Sequence, residues 1–160
     1  MAAAPHVTLL RVRWPECDPA GIVYFANYLT YFELGTFEYL RSRGTNWSAV
    51  RQRYGFASVP RVEAHARFKA SARYDDVLAV HTRVGELTRK VITFESQVYR
   101  ESDGRLLAEG HIKVALTNAE GRAGTLPPEL VAWLQNDEPF EAAGPSTVAG
   151  DEVLPSPGAP

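Results

Sequence analysis

The sequence predicts an α+β domain in which a curved antiparallel sheet of about five strands wraps around one long central helix. Three observations lead to this prediction: an alternating segment near the start, a long apolar helix after it, and four strand patterns in the second half. The chain has 160 residues, of which 45% are hydrophobic and 22% are charged, and this is the size and balance of one globular domain.

The first two elements are a strand and the long helix. Residues 7–14 alternate loosely between apolar and basic side chains, and a loop with two prolines and a glycine follows at 15–21. From 24 to 43, large apolar residues recur every three or four positions, and Gly44 supplies a stop signal. The helix is apolar around most of its circumference, so we expect other structure to surround it. Gly35 costs about 1 kcal/mol of helix propensity relative to Ala, which indicates close approach of a neighbouring backbone.

The second half of the chain carries four predicted strands. Residues 61–70 alternate strictly, with apolar side chains on one face and polar or charged side chains on the other. Further strands are predicted at about 76–87, 90–100 and 105–117, and Asp103-Gly104 is typical of a hairpin between the last two. The short connections indicate antiparallel pairing of these strands.

A short helix and a tail complete the chain. The helix is predicted at 129–135 after two prolines, and it ends a domain that spans residues 1–135. Residues 136–160 are rich in Pro, Gly, Ala and Ser, and we expect a disordered tail. A curved sheet of about five strands has open edges, which a second subunit commonly covers. We therefore expect at least a dimer.

Charge, cysteine content and hydropathy limit the class of function. Seventeen Lys and Arg against nineteen Asp and Glu give a formal charge of -2, which argues against a general nucleic-acid binder. Cys17 is the single cysteine, which excludes an internal disulfide and is typical of a reducing compartment. The sequence has no signal-peptide pattern and no run of about 18 apolar residues. We expect a cytoplasmic protein without nucleic-acid or membrane partners.

Most standard catalytic motifs are missing from the sequence. It contains no serine-hydrolase elbow, no P-loop, no His-Glu-x-x-His and no dinucleotide-binding glycine pattern. His65, His81 and His111 fall in predicted strands and are interpreted as polar strand residues, not as metal ligands.

The loop before the long helix is the best remaining candidate for a site. Asp18 lies a few residues ahead of the helix N-terminus, where unpaired N–H groups can stabilise an oxyanion. A carboxylate there suits hydrolysis of an activated acyl group, with Asp18 as nucleophile or as general base on water. The alternative is a purely structural Asx turn or helix cap.

The segment from Asp18 to Tyr28, DPAGIVYFANY, resembles the active-site segment of the 4-hydroxybenzoyl-CoA thioesterases of the Pseudomonas type, which are hotdog-fold acyl-CoA thioesterases. The segment YDDVL at 74–78 and the basic pair Arg89-Lys90 follow in the same order as in that family, so the resemblance covers roughly residues 7–130. It implies a hotdog fold and hydrolysis of an acyl-CoA, most simply an aromatic one, to free acid and CoA without a metal or redox cofactor.

The resemblance also implies roles for individual residues. Asp18 would be the catalytic carboxylate, and the backbone N–H of Phe25 would hold the thioester oxygen. Arg89 and Lys90 would bind the nucleotide phosphates of CoA. Glu33 takes the place of an aspartate that contacts the substrate hydroxyl in the 4-hydroxybenzoyl enzymes, and it shares a helix face with Phe25. Because Glu is longer by a methylene, other aromatic or aliphatic acyl groups stay open.

Further contacts and alternatives complete the predictions. Tyr24, Trp47 and Val59 are candidate contacts for the acyl group, and aromatic core is the alternative interpretation of Trp47. Members of the family build each pocket between subunits, which implies a homodimer or a dimer of dimers, a homotetramer.

Two other functions stay open: a thioesterase acting on an acyl carrier protein or a medium-chain acyl-CoA, and a non-catalytic acyl-binding hotdog protein. A basic rim for a carrier protein is available from Arg61, Arg67, Lys69 and Arg73.

Overall fold

The structure, a computed structural model, describes residues 4–136 and 138–140. The described strands are β1 (His6–Arg11), β2 (Arg61–Phe68), β3 (Val77–Leu87), β4 (Val91–Arg100) and β5 (Leu106–Ala115). The described helices are α1 (Asn27–Ser42), α2 (Trp47–Tyr54) and α3 (Pro128–Gln135), with one 3-10 turn at Trp14–Glu16. The strands form one antiparallel sheet in the order β1-β3-β4-β5-β2. The predicted α+β architecture, a curved sheet with α1 packed on its inner face, is confirmed.

The hydrophobic core lies between α1 and the inner face of the sheet. Val80, Phe94 and Val114 come from three neighbouring strands and are fully buried there. At Gly35, an added Cβ would lie 2.9 Å from Val80 Cγ1 and closer still to the Thr82 hydroxyl. The close approach predicted at Gly35 is therefore present, but side chains of β3 make it, not a neighbouring backbone.

β2 lies at the edge of the sheet beside β5, whereas the short connections predicted pairing of consecutive strands. That prediction was wrong for β2 and β3 because residues 69–76 cross the end of the sheet instead of forming a tight turn. The Lys69 N–H donates to Leu107 O (2.7 Å) at one side, and the Asp75 N–H donates to Val12 O (3.1 Å) at the other. As an edge strand, β2 has seven of its eight residues exposed.

A β-bulge at the start of β2 breaks the strict alternation predicted for residues 61–70. Ala64 lies on the inner face, so strict alternation would put Arg61 on the outer face. The register shifts between Arg61 and Glu63, however, and Arg61 is paired with the buried inner-face residue Val114. The bulge thus re-aims the side chain of Arg61 towards α1.

The sequence analysis did not predict α2, although both of its ends carry signals. The Asn46 side chain accepts the Ala49 N–H (2.9 Å) at the N-terminus, and Gly55 ends the helix with a φ of +72°. Eight residues are too few for a convincing helical period. The helix places Trp47 in the core, where its ring meets that of Phe94 edge to face at 5.8 Å.

The end of the domain lies slightly beyond the predicted boundary at residue 135. Phe140 is buried, and its N–H donates to Arg43 O (2.8 Å), so packing continues to that residue. Of the predicted tail at 136–160, residues 137 and 141–160 lie outside the described residues. None of the helices in the described part of the chain has the length and hydropathy needed to cross a membrane.

Candidate active site

Asp18 lies in a tight loop that its own hydrogen bonds hold together. Its N–H donates to Ile22 O (2.9 Å), and its carbonyl accepts the Gly21 N–H (2.9 Å). Its carboxylate Oδ1 accepts the Ala20 N–H (2.8 Å), which is the Asx turn considered as the alternative role. This turn uses one carboxylate oxygen. Among the described residues nothing donates a hydrogen bond to Oδ2, so that oxygen is open to water or substrate.

Two adjacent N–H groups directly before α1 are unpaired. The helix begins at Asn27, slightly later than predicted, and no side chain caps it. The Asn27 and Tyr28 N–H groups donate to Tyr24 O and Phe25 O (2.9 and 3.2 Å). Within residues 4–136 and 138–140, the N–H groups of Phe25 and Ala26 have no acceptor. Unpaired donors at the positive end of a helix dipole suit a developing oxyanion.

A half-buried carboxylate, Glu16, fastens the Asp18 loop to α1. Its Oε2 accepts the Tyr31 hydroxyl (3.0 Å) and the Arg13 N–H (2.7 Å). Its backbone carbonyl accepts the Tyr24 N–H (2.9 Å) and the Asn27 side-chain amide (2.8 Å). Burial raises the pKa of Glu16, but hydrogen bonds from Arg13 and Tyr31 outweigh it and hold the pKa below its ordinary value. The sequence analysis missed this tether because a spacing of 15 residues between Glu16 and Tyr31 has no recognisable pattern.

An apolar groove lies beside this loop, between the start of α1 and the end of β2. It is a cavity of about 330 Å³ whose lining includes Ile22, Phe25, Tyr28 and Phe68. The Phe68 ring lies 6.2 Å from that of Phe25 and 5.4 Å from that of Tyr28. Phe25 is 59% exposed and Phe68 is 49% exposed, and clustered exposed aromatic rings mark a binding surface. Tyr24, whose ring packs on Phe25 at 4.8 Å, lies beside the same cavity.

Two opposite charges, Glu33 and Arg61, lie further along α1 and β2. Glu33 lies two helical turns beyond Phe25 and forms an ion pair with the Arg61 guanidinium. Arg61 also donates to Val59 O (2.7 Å) and lies 5.7 Å from the centre of the Phe37 ring. Burial lowers the pKa of Arg61 from its ordinary value. The structure thus brings Glu33 and Val59 together and adds Arg61, which the sequence analysis had placed only in a carrier-protein rim.

Three other predicted contacts lie away from Asp18 within one chain. Arg89 and Lys90 form the turn between β3 and β4, whereas the Asp18 loop is at the end of the sheet where β3 begins. β3 has 11 residues, so its ends are about 30 Å apart. Trp47 is buried in the core and is not part of the groove lining.

The histidines of the strands lie outside the groove. His65 stacks on His111 with ring centres 5.4 Å apart, and His111 pairs with Glu63 (2.6 Å) on the outer face of the sheet. His81 packs against Tyr99 at 4.8 Å. In the part of the chain that the structure describes, no group of three or more His, Cys, Asp or Glu is arranged to hold a metal ion.

Comparisons with known proteins point to one family. Residues 12–134 match the family model described as the thioesterase-like superfamily. This range contains the Asp18 loop, α1 and four of the five strands described above.

Named relatives and a solved structure agree with the family model. The 4-hydroxybenzoyl-CoA thioesterase of Pseudomonas sp. (strain CBS-3) is 33% identical over 113 residues, which cover 70% of this chain and 77% of that protein. An acyl-CoA thioesterase of Haemophilus influenzae is 32% identical over 106 residues, which cover 66% and 76%. The structure of the 4-hydroxybenzoyl-CoA thioesterase from Pseudomonas sp. superposes with a TM-score of 0.71 at 27% identity, over 81% of this chain and 99% of that one.

Proposed function

The chain belongs to the thioesterase-like superfamily and is a thioester hydrolase of hotdog fold, and from that premise we propose that it hydrolyses aromatic acyl-CoA thioesters at Asp18. The observation that carries the proposal is the position of Asp18. Its free Oδ2 belongs to a hydrogen-bonded loop that leads directly into two unpaired N–H groups and an exposed aromatic groove.

Each part of this geometry has a chemical role in the proposal. The N–H of Phe25, with that of Ala26 beside it, binds the thioester oxygen and stabilises the negative charge that develops there. Asp18 then acts in one of two ways. As nucleophile, its Oδ2 bonds to the thioester carbon, CoA leaves as the thiolate, and water hydrolyses the mixed anhydride. As general base, it takes a proton from the water that attacks the same carbon. Both routes give the free acid and CoA and need neither a metal nor a redox cofactor.

The groove between α1 and β2 would hold the acyl group. Its start is lined by aromatic rings, which favour a flat aromatic acyl group through stacking and edge-to-face contacts. Tyr24 flanks this cavity, and the proposed acyl contacts Val59 and Glu33 are brought together by Arg61 at the start of β2. Trp47 would support the site only from within the core.

A second copy of the chain would complete the site. Arg89 and Lys90 cannot reach the Asp18 loop of their own chain, but they can bind CoA phosphates at the site of another copy. The edge strand β2 offers the docking surface, because its outer edge is unpaired and Val62 and Phe68 are 54% and 49% exposed. The proposal is therefore a homodimer, or a dimer of dimers, located in the cytoplasm.

The carrier-protein alternative is less well supported by the charges in the structure. An acyl carrier protein needs free cations at the mouth of the groove, but Arg61 is paired with Glu33 and Lys69 with Glu109 (3.2 Å), which leaves two cations of the predicted rim, Arg67 and Arg73, outside the ion pairs of the described residues. The non-catalytic alternative gives no reason for an open Asp18 carboxylate beside unpaired N–H groups.

The test is CoA release from 4-hydroxybenzoyl-CoA, benzoyl-CoA, phenylacetyl-CoA, hexanoyl-CoA and palmitoyl-CoA by the wild type and Asp18→Asn. The matched control is Asp103→Asn, because Asp103 also makes an Asx turn, accepting the Arg105 N–H (3.1 Å), but in the β4–β5 hairpin. We expect an aryl-CoA to be turned over best, and Asp18→Asn to lose on the order of 100-fold or more while the control keeps its activity. Absence of turnover, or an unimpaired Asp18→Asn that folds normally, would contradict the proposal.

A further inference from the structure

One buried residue, Ala72, clamps both sides of the segment Phe25–Ala26, whose N–H groups have no acceptor in the described part of the chain. The Ala72 carbonyl accepts the Val23 N–H (2.9 Å) before this segment, and its N–H donates to the Tyr28 hydroxyl (3.0 Å) after it. Ala72 and Tyr28 are both buried, so water cannot take the place of either partner. The position of Ala72 therefore sets where the two N–H groups lie.

Arg100, the last residue of β4, fixes the peptide group that links Ser71 to Ala72. Its Nη2 donates to Ser71 O at 2.7 Å. That oxygen belongs to the same peptide group as the Ala72 N–H, and in a planar trans peptide the C=O and the N–H point in opposite directions. A hydrogen bond that holds the oxygen therefore also aims the N–H at the Tyr28 hydroxyl.

The guanidinium of Arg100 is itself held in place. Its Nε donates to Asp76 Oδ2 (3.3 Å), which also accepts the Arg73 N–H (2.9 Å), and the Arg100 side chain is 19% exposed. Its Nη1 donates to Asp103 Oδ2 (2.7 Å), but this carboxylate is 49% exposed, so water or an amide can replace it. A planar guanidinium that reaches several acceptors at once has little freedom to move. Arg100 is thus a fixed point on the sheet from which contacts run through Ser71–Ala72 to α1.

The Ser71–Ala72 peptide also borders the cavity beside the Asp18 loop, because Ser71 lines that cavity together with Phe25. The Asp18 carboxylate is oriented within its own loop by the Ala20 N–H (2.8 Å). A movement of the Ser71–Ala72 peptide would therefore shift the N–H donors relative to the carboxylate. A displacement of about 1 Å between catalytic groups can cost on the order of 100-fold in rate.

We propose that Arg100 is a positioning residue that, through the Ser71–Ala72 peptide, holds the oxyanion donors Phe25 and Ala26 in place relative to Asp18. The inference rests on the proposed function and deepens it, since it names the residue on the sheet that controls the chemical step. Arg100 contacts neither the substrate nor the reacting atoms. Its loss lowers kcat and leaves KM almost unchanged, because the donors interact more strongly with the charge of the transition state than with the neutral thioester.

The experiment measures kcat and KM for the two acyl-CoA thioesters of the CoA-release panel that the wild type hydrolyses fastest. The variants are Arg100→Met, Arg100→Lys and Tyr28→Phe, which removes the hydroxyl at the end of the chain of contacts. The matched control is Arg43→Met, because Arg43 also donates to backbone carbonyls, Trp133 O (2.6 Å) and Glu138 O (2.9 Å). It does so after the last turn of α1, about 24 Å from the start of that helix. Circular dichroism and sedimentation give the folded fraction and the assembly of each variant.

We expect Arg100→Met to lower kcat by about 10- to 100-fold at equal folded fraction, by the same factor for both acyl groups, with KM within about threefold. Arg43→Met should keep the kcat of the wild type. Arg100→Lys should restore part of kcat, since an ammonium can still donate to Ser71 O but lacks the fixed geometry of the guanidinium. Tyr28→Phe should also lower kcat, and its effect should not be additive with that of Arg100→Met, because both changes break one chain of contacts.

The possible failures separate this inference from the proposed function. If the wild type hydrolyses no acyl-CoA, or if Asp18→Asn is unimpaired, the proposed function is wrong, and so is the role of Arg100. If Asp18 is essential but Arg100→Met raises KM alone, loses different factors on the two acyl groups, or loses no more kcat than Arg43→Met, Arg100 has no positioning role and the proposed function stands. If Arg100→Met does not fold, the same criteria apply to Arg100→Lys and Tyr28→Phe.

Discussion

Replacing Glu16 should loosen the Asp18 loop without touching any group that contacts substrate. The Glu16 carboxylate accepts the Tyr31 hydroxyl at 3.0 Å and the Arg13 backbone N–H at 2.7 Å, and it pairs with the Arg13 guanidinium at 2.8 Å. Its side chain is 12% exposed, that of Arg13 is 77% exposed, and Tyr31 is 2% exposed as a whole. The two partners therefore differ in how far water can replace the lost carboxylate.

These exposures set the size of the effect. Water can replace the carboxylate for Arg13, so that pair contributes at most about 1 kcal/mol to the free energy of unfolding. Water cannot reach the Tyr31 hydroxyl, and a buried donor left without its charged acceptor costs about 1.5–3 kcal/mol. We expect Glu16→Ala to lower the free energy of unfolding by about 2–4 kcal/mol and Glu16→Gln, which keeps one acceptor oxygen, by about 1–2 kcal/mol.

The contribution of Glu16 to the free energy of unfolding should decrease as the pH is lowered. Hydrogen bonds hold the pKa of Glu16 below its ordinary value of 4.5 in the folded protein. The ionised carboxylate therefore stabilises the folded protein above the ordinary pKa, and this stabilisation is lost as the pH falls through the lower pKa of the folded state. The stability difference between the wild type and Glu16→Gln should be full at neutral pH and should shrink below about pH 4.

The assay is urea unfolding at a fixed protomer concentration, together with kcat/KM on the best aryl-CoA. Glu38→Gln is the matched control, because Glu38 also pairs with an arginine three positions away, Arg41, but on the exposed surface of α1. It should change stability by less than about 1 kcal/mol. Tyr31→Phe combined with Glu16→Ala should cost less than the sum of the two single changes. If the effects of Glu16→Ala and Tyr31→Phe on stability are additive, or if Glu16→Ala is as stable as Glu38→Gln, Glu16 does not act as a tether.

Three further changes test other parts of the structure. Gly35→Ala should lower the free energy of unfolding by about 1–2 kcal/mol in urea, because overpacking against the buried Val80 exceeds the gain in helix propensity; a more stable variant would contradict this. Arg43→Met should cost about 2–4 kcal/mol in the same assay, since the buried guanidinium donates to Trp133 O (2.6 Å) and Glu138 O (2.9 Å); a loss below about 0.5 kcal/mol would be inconsistent with that role. Phe68→Asp should give a folded monomer without thioesterase activity, measured by sedimentation, circular dichroism and CoA release; an active dimer would exclude β2 as the interface.

Local patterns predicted most elements of the fold because each depends on neighbouring residues. The predicted strands at 76–87 and 90–100 match β3 and β4 to within a residue or two, since alternation reports directly which face is buried. The pairing of β2 with β5 could not be predicted in this way. It depends on residues 69–76 crossing the sheet end through bonds to Leu107 and Val12, which no short window contains.

In the candidate site, too, contacts between neighbouring residues were predictable and contacts between distant residues were not. Asp18 was proposed from the composition of its loop and the helix start that follows it, whereas the Phe25 N–H came only from the family resemblance, and the roles of both stay predictions. Arg61 was assigned to the wrong face, since a bulge changes which face a residue occupies while leaving the sequence pattern unchanged. Glu16 and Tyr31 are brought together by the turn of the chain into α1, so their contact became visible only in the structure.

β2 links the assembly of the protein to its candidate active site. The same short strand supplies Phe68 to the lining of the groove and an unpaired edge that would bind a second copy. A second copy docked at that edge would lie over the exposed ring of Phe68 and so shield the groove from water. Dimer formation would therefore bring in Arg89 and Lys90 for CoA and, in the same step, strengthen the electrostatic stabilisation that the Phe25 and Ala26 N–H groups give to the oxyanion, because such interactions are stronger where water is excluded.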